Sequence, residues 1–224
     1  TGAVQAQQYH PGPCEFGVLW ARDPNATGPL DERPGTIVAI TRKTFPTIIG
    51  DGEHDIEALI WRHPRHRMQG HVFAKRFEAR LENVPAEGER IALTRAGNHA
   101  QGCMFTDGMD ALTPELEATA ERWGQAFRGV DGKALDFGRY DVRAESEDAF
   151  RRGECTIIEL NGTLAEATSI YDPKRSPWWT YRLLFRQWRT VYALGAQRRA
   201  SGDRDGFTLV GVLREAVRGR RGRG

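Results

Sequence analysis

Residues 137–143, Phe137-Gly138-Arg139-Tyr140-Asp141-Val142-Arg143, and residues 156–162, Thr156-Ile157-Ile158-Glu159-Leu160-Asn161-Gly162, decide how this chain is read. Both stretches have strand character. In a strand, alternate side chains share a face, so Arg139, Asp141 and Arg143 point one way, as do Glu159 and Asn161 on the second stretch. Paired antiparallel, the two strands put two carboxylates, an amide oxygen and a guanidinium on one surface. Hard oxygen donors suit a divalent cation, and a fixed guanidinium beside them suits a phosphate. Ile157, Ile158 and Leu160 anchor the second strand in a sheet. A charged surface hairpin accounts for Asp141 or Glu159 taken singly. It accounts less well for four polar groups at matched alternation, although short patterns also recur by chance.

The bulk properties bound the rest. The chain has 224 residues, room for one large domain or two small ones. An apolar fraction of 39% with 28% charged residues fits a globular chain and not a disordered one. A net charge of +2 supplies no global field that implies nucleic acid. No apolar run approaches bilayer-spanning length. Cys14, Cys103 and Cys155 are scattered and odd in number, which argues against a disulfide framework or zinc ribbon and favours a reducing, cytoplasmic setting. The chain starts at Thr1 with no signal peptide before its first strand, so the natural protein is expected to extend further toward its N-terminus.

Taken in order, Pro and Gly open a strand in which Phe16, Val18 and Trp20 alternate with Glu15, Gly17 and Leu19. Glu15 stands at its start, a position where a carboxylate either accepts from a ribose or is simply solvated. A loop over 23–35 leads to a β-branched strand, 36–43, ending in Arg42 and Lys43. Lys43 is a phosphate candidate or a solvated strand-end lysine. A short helix is expected from Asp55 to Trp61, with Ile56, Leu59 and Ile60 buried. His63, His66 and His71 lie in a cation-dense loop, 62–71. Neighbouring arginines repel a metal there, so a solvated basic loop is the expectation.

A helix over 72–84 with Val72, Phe73, Phe77 and Leu81 on its buried stripe is stopped by Pro85, and a strand follows over 89–94. Residues 95–110 read as a long Gly-bearing loop in which Asn98 and His99 are substrate-contact candidates. Thr113-Pro114-Glu115 opens a capped helix. After Asn161, a loop presents Glu166, Thr168 and Ser169 toward a reacting substrate. Residues 181–199 form the longest helix, with Tyr181, Leu184, Phe185, Trp188, Val191 and Tyr192 on one face and Arg182, Arg186 and Arg189 on another. Such a stripe serves a membrane surface or, more commonly, core packing; core packing is the expectation. The arginine-rich end, 218–224, reads as a solvated, flexible tail. No P-loop and no Gly-x-Gly-x-x-Gly after a strand is present.

The pair Gly138-Arg139-Tyr140-Asp141 and Glu159-Leu160-Asn161-Gly162 resembles the end of an ATP-grasp domain, in the branch of D-alanine–D-alanine ligases and carboxylate–amine ligases. The resemblance implies an α+β fold, a mostly antiparallel sheet flanked by helices. It implies ATP and two magnesium ions, with manganese a possible replacement, held by Asp141, Glu159 and Asn161, and Arg139 facing the phosphate or acyl-phosphate. Glu15 takes the place of the residue that contacts the ATP ribose, and Lys43 that of a cation near the phosphates. Residues 166–173 replace the Pro-Gly substrate loop of the D-alanine ligases, a departure that argues against D-alanine as substrate. The likeness covers residues 9 to about 173 and fits only the second half of such an enzyme. The implied organisation is 1–175 as the C-terminal part of the ATP-grasp domain, 176–202 as a helix packed on it, and 203–224 as a basic tail. The implied activity is ATP-dependent joining of a small carboxylate and an amine, amino acids or peptides, with release of ADP and phosphate. No membrane partner is expected and nucleic acid is not an expected partner, while oligomeric state is not fixed. The rival reading is a non-catalytic nucleotide- or anion-binding module.

Overall fold

The computed structural model describes residues 7–8, 10–95, 97–129 and 132–202. Among the described residues there are seven strands: β1 (Cys14–Arg22), β2 (Gly35–Thr44), β3 (Thr47–Ile49), β4 (Arg90–Ala92), β5 (Met104–Asp107), β6 (Phe137–Ala144) and β7 (Thr156–Asn161). Five form one sheet in the order β5-β2-β1-β6-β7, every neighbouring pair antiparallel. β3 and β4 make a separate ribbon. The helices are α1 (Ile56–Arg62), α2 (Gly70–Arg76), α3 (Pro114–Ala126), α4 (Glu147–Arg151) and α5 (Pro177–Ala200). The expected α+β class, a mostly antiparallel sheet flanked by helices, is what the chain adopts.

β1 lies in the middle of the sheet and is buried on both faces. Phe16, Val18, Trp20, Ile40, Tyr140 and Val142 point to one face and pack under α3 and α4. Phe150 of α4 stacks on Phe16 with ring centroids 3.8 Å apart. Gly124 lets α3 approach β1; a Cβ there would sit 2.4 Å from the Trp20 ring. The helices start where side chains satisfy their first amides. Thr113 Oγ1 accepts from Leu116 N (3.1 Å) with Pro114 in the first turn, and Ser146 Oγ accepts from Ala149 N (3.1 Å).

The opposite face is divided. One half is apolar, with Leu19, Ala21, Ala39 and Phe137 covered by Leu183 and Val191 of α5. The other half is polar and forms the site described below. A third cluster, Ile48, Ile56, Ile60, Phe73, Ile91 and Leu93, holds the β3–β4 ribbon to α1 and α2.

Several sequence expectations are corrected. The 72–84 helix runs instead from Gly70 to Arg76 and breaks into a 3-10 turn at 78–80, and Val72 faces solvent. Residues 95–110 contain β5, an edge strand of four residues too short for alternation to show. The connection 144–155 contains α4. The largest correction concerns α5. The side turned to the sheet carries Leu183, Gln187, Val191 and Leu194, while Tyr181, Phe185, Trp188 and Tyr192 are exposed. The packed stripe uses slim side chains and one buried amide. Gln187 Nε2 donates to Ala165 O (2.9 Å) and its Oε1 accepts from Ala167 N (3.0 Å), so a polar residue occupies the face that hydrophobicity alone assigns to the aromatics. The tail, 203–224, lies outside the described residues.

Candidate functional site

The register builds the site row by row. Across β2, β1 and β6, Lys43 pairs with Glu15 and Glu15 with Arg143. In the next row Thr41 pairs with Gly17, Gly17 with Asp141, and Asp141 with Glu159. In the third, Leu19 pairs with Arg139 and Arg139 with Asn161. Directly opposed residues of antiparallel strands share a face, so Arg139, Asp141, Glu159 and Asn161 meet as their spacing suggests. One irregularity lies just beyond these pairs. Asp141 pairs with Glu159, yet Val142 pairs with Ile157, so Ile158 is an extra residue in β7. The bulge lets Ile157 and Leu160, three apart, both pack into the core.

The charged groups alternate in sign. Lys43 Nζ lies 2.9 Å from Glu15 Oε1 and 3.3 Å from Asp141 Oδ1. Arg143 donates from Nε to Glu15 Oε2 (3.0 Å), from Nη1 to His10 O (3.1 Å) and from Nη2 to Arg95 O (2.8 Å). Arg139 Nε lies 3.1 Å from Asp141 Oδ1, and its Nη1 donates to Glu166 O (3.0 Å). Asn161 Nδ2 donates to Asp141 Oδ2 (3.4 Å). Glu15, Lys43, Asp141 and Arg143 are all buried, so neither Glu15 nor Lys43 is a solvated strand-end charge. Glu159 is exposed. Two glycines make room: a Cβ on Gly17 would meet Arg139 Cδ and Asp141 Oδ1 at 3.3 Å, and one on Gly97 would lie 1.9 Å from Glu15 Oε1.

Glu15, Lys43, Arg139, Asp141, Arg143 and Glu159 floor a cavity of about 550 Å³; Asn161 lies beside Asp141 without lining it. The segment after β4 forms part of its wall through Arg95, Asn98 and His99, and Thr168 closes it from the other side. Asn98 is exposed and spends its side-chain oxygen on Gln101 N (2.8 Å). His99 is exposed, stacks on Tyr171 at 5.2 Å and meets Phe105 edge-on. Thr168 Oγ1 bonds Thr41 Oγ1 (3.0 Å). Glu166 and Ser169 do not line the cavity. The Glu166 carboxylate accepts from Tyr171 OH (2.7 Å), which raises the phenol pKa, and the Ser169 hydroxyl is buried without a partner. Of the two, only Glu166 reaches the site, through the backbone carbonyl that holds Arg139. Glu15, assigned to a ribose by resemblance, has both oxygens engaged by Lys43 and Arg143.

Sequence reasoning left two contributors out of the site. Arg143 was readable, two residues after Asp141 on the same strand face. Arg95 carries no signal, because its place depends on how the ribbon sits over the sheet. Burial pushes the nearby Cys103 thiol up to about 11, with the Glu15 charge adding to the effect, so it is no nucleophile. Among the described residues no three His, Cys, Asp or Glu side chains are grouped to hold a metal, which applies to His63, His66 and His71 as well. His63 and His66 instead stack at 3.6 Å.

The donors Asp141, Glu159 and the Asn161 amide oxygen fit a hard cation by type. Their neighbours decide the conditions. Three carboxylates (Glu15, Asp141, Glu159) face three cations (Lys43, Arg139, Arg143) on the floor, and Arg95 adds a fourth cation on the wall, so the floor is internally balanced and the cavity carries a small positive excess. A bare divalent ion would compete with Lys43 and Arg139 for Asp141. A polyphosphate would draw those cations to itself and release carboxylate oxygens to a metal. Magnesium typically binds in this manner, through one or two carboxylates together with substrate phosphates.

No family model matches this chain, and no curated protein matches it. Among solved structures, the chain is similar to a bifunctional glutathione synthetase from Pasteurella multocida, with a TM-score of 0.44 and 15% sequence identity. The match covers 80% of this chain and 24% of that one, so this chain spans about a quarter of that chain's length.

Proposed function

We propose that this chain binds a magnesium–nucleoside triphosphate, ATP by the resemblance of its Arg-x-Asp and Glu-x-Asn strands, and belongs to a carboxylate–amine ligase. The observation that carries the reading is the register: Arg139 opposite Asn161 and Asp141 opposite Glu159, with Arg139, Asp141, Glu159 and the Lys43 that bridges Glu15 and Asp141 all lining one cavity. Magnesium, when bound with the nucleotide, would neutralise phosphate charge; Asp141, Glu159 and Asn161 would hold it. Phosphoryl transfer depends mostly on positioning and charge neutralisation. Arg139 supplies a fixed cation whose direction is set by the Glu166 carbonyl. Lys43 is a second cation, held by two carboxylates until a phosphate replaces one of them. The carboxylate and amine substrates, amino acids or peptides, would enter beside Asn98, His99 and Thr168.

Calorimetric titration of the purified chain with MgATP and MgADP, beside Asp141→Asn and Glu159→Gln, tests the reading. Binding that requires magnesium and is lost in both variants supports it. Nucleotide binding indifferent to both substitutions removes the site from these strands, and absence of binding to the wild type removes this chain as a nucleotide site by itself. In the catalytically competent protein, Glu159→Gln is expected to cost about 10²–10³ in rate. One observation favours the rival reading, a non-catalytic anion-binding module: every buried carboxylate of the site is already ion-paired. Tight binding of inorganic phosphate or ATP without magnesium would select it.

A further inference from the structure

The exposed side of α5 is built to a pattern. Trp178, Tyr181, Phe185, Trp188 and Tyr192 are spaced by three, four, three and four residues, which stacks them in one stripe along the helix. Their exposures are 83, 57, 74, 45 and 79%. At about 200 Å² for a full aromatic side chain, the stripe presents on the order of 700 Å² of ring surface. That exceeds the roughly 300–600 Å² of the largest apolar patch on an ordinary monomer.

Charge indicates what covers it. The 24 residues of α5 contain five arginines and no acid. Arg182, Arg186, Arg189 and Arg199 are exposed, as are Lys174 and Arg175 just before the helix. Arg186 keeps a bond to the Val38 carbonyl, which fixes the helix on the sheet. The sequence after the helix continues the bias, with six arginines against three acids over 203–224. A second copy of this chain would set arginine against arginine across any two-fold axis, without an acid on either helix to relieve it. An anionic lipid surface has the opposite sign. It also has the layered polarity that tryptophan and tyrosine favour, apolar for the ring and wet for the N–H or O–H. The helix is not long and apolar enough to cross a membrane, so its place is on the surface.

We propose that α5 is a membrane-surface element that lays its aromatic stripe into the headgroup region of an anionic bilayer, with the flanking arginines on the lipid phosphates. The cavity and the stripe lie on different elements, so the proposal is independent of the nucleotide reading.

The test is flotation of the full chain with vesicles of phosphatidylcholine alone and of equal parts phosphatidylcholine and phosphatidylserine. The chain is expected to float with the anionic vesicles only, and to be released near molar salt, where the screening length falls to about 3 Å. Trp178→Ser combined with Phe185→Ser and Trp188→Ser is expected to weaken binding at least about tenfold, with circular dichroism and melting temperature unchanged because these side chains face solvent. Should that variant unfold, Arg182→Glu with Arg189→Glu, both surface positions, serves instead, with a loss at least as large. Failure to float with anionic vesicles overturns the proposal, as does equal flotation of the folded variants. Sedimentation showing a wild-type dimer that these substitutions dissociate also overturns it, by assigning the stripe to a second copy.

Discussion

Replacing Lys43 by methionine tests whether the charge ladder holds the sheet together. The ammonium is buried and bridges two carboxylates, 2.9 Å from Glu15 and 3.3 Å from Asp141. Breaking a buried ion pair by removing one partner typically costs about 3–5 kcal/mol. Here each abandoned carboxylate keeps another cation, Arg143 for Glu15 and Arg139 for Asp141. The expected loss is therefore smaller, about 2–3 kcal/mol, or a fall of about 5–10 °C in Tm for a chain of this size. Urea unfolding followed by tryptophan fluorescence measures it. Glu15→Gln and the double variant complete a cycle, with an expected coupling of about 1–2 kcal/mol. A Lys43→Met protein within about 0.5 kcal/mol of wild type, or a cycle without coupling, would refute the bridge and with it the preorganised site.

Gly97→Ala places a methyl group on the Glu15 carboxylate, and is expected to cost about 1–3 kcal/mol in the same urea assay; a neutral result would mean that Gly97 does not lie over Glu15. His66 is buried beside His63 and Arg65, and burial first, then those charges, pushes its pKa down to about 4. The unfolded chain, titrating near 6.5, then takes up a proton that the folded one refuses, so stability is full above about pH 6.5 and falls by up to about 3 kcal/mol toward pH 4. His66→Leu should flatten that limb relative to wild type, and parallel curves would contradict the assignment. Cys103 is fully buried with its thiol pKa raised to about 11, so a thiol reagent at pH 8 should leave it unmodified until urea unfolds the chain, as mass spectrometry of peptides would show.

The features that proved legible in the sequence are those governed by local rules. Strand alternation placed Arg139, Asp141, Glu159 and Asn161 on common faces, and Thr113-Pro114 fixed the start of α3. Ser176-Pro177 is the same signal at the start of α5, where aromatic content drew the boundary four residues too late. What stayed hidden depends on contacts distant in sequence. The bulge at Ile158 resets the parity of β7, and nothing in Ile157-Ile158 distinguishes the inserted residue. β5 exists because β2 offers an edge to pair with, not because four residues favour a strand. The orientation of α5 is set by Gln187 bonding the loop at 165–167, an amide that hydrophobic periodicity counts against burial.

The alternating signs of the cavity floor also bear on how fast and under what conditions ligands arrive. On its floor three anions and three cations cancel within a few ångströms, leaving Arg95 of the wall as the excess charge, so the cavity projects only a weak positive field beyond its rim. An incoming anion exchanges one internal counter-ion for itself. Its association rate should accordingly respond weakly to ionic strength and stay well below the electrostatically steered limit. The arginine-flanked side of α5 is charged with one sign, so encounters there should be accelerated at low salt. A single molecule would thus show two kinetic regimes, one nearly blind to added salt and one governed by it.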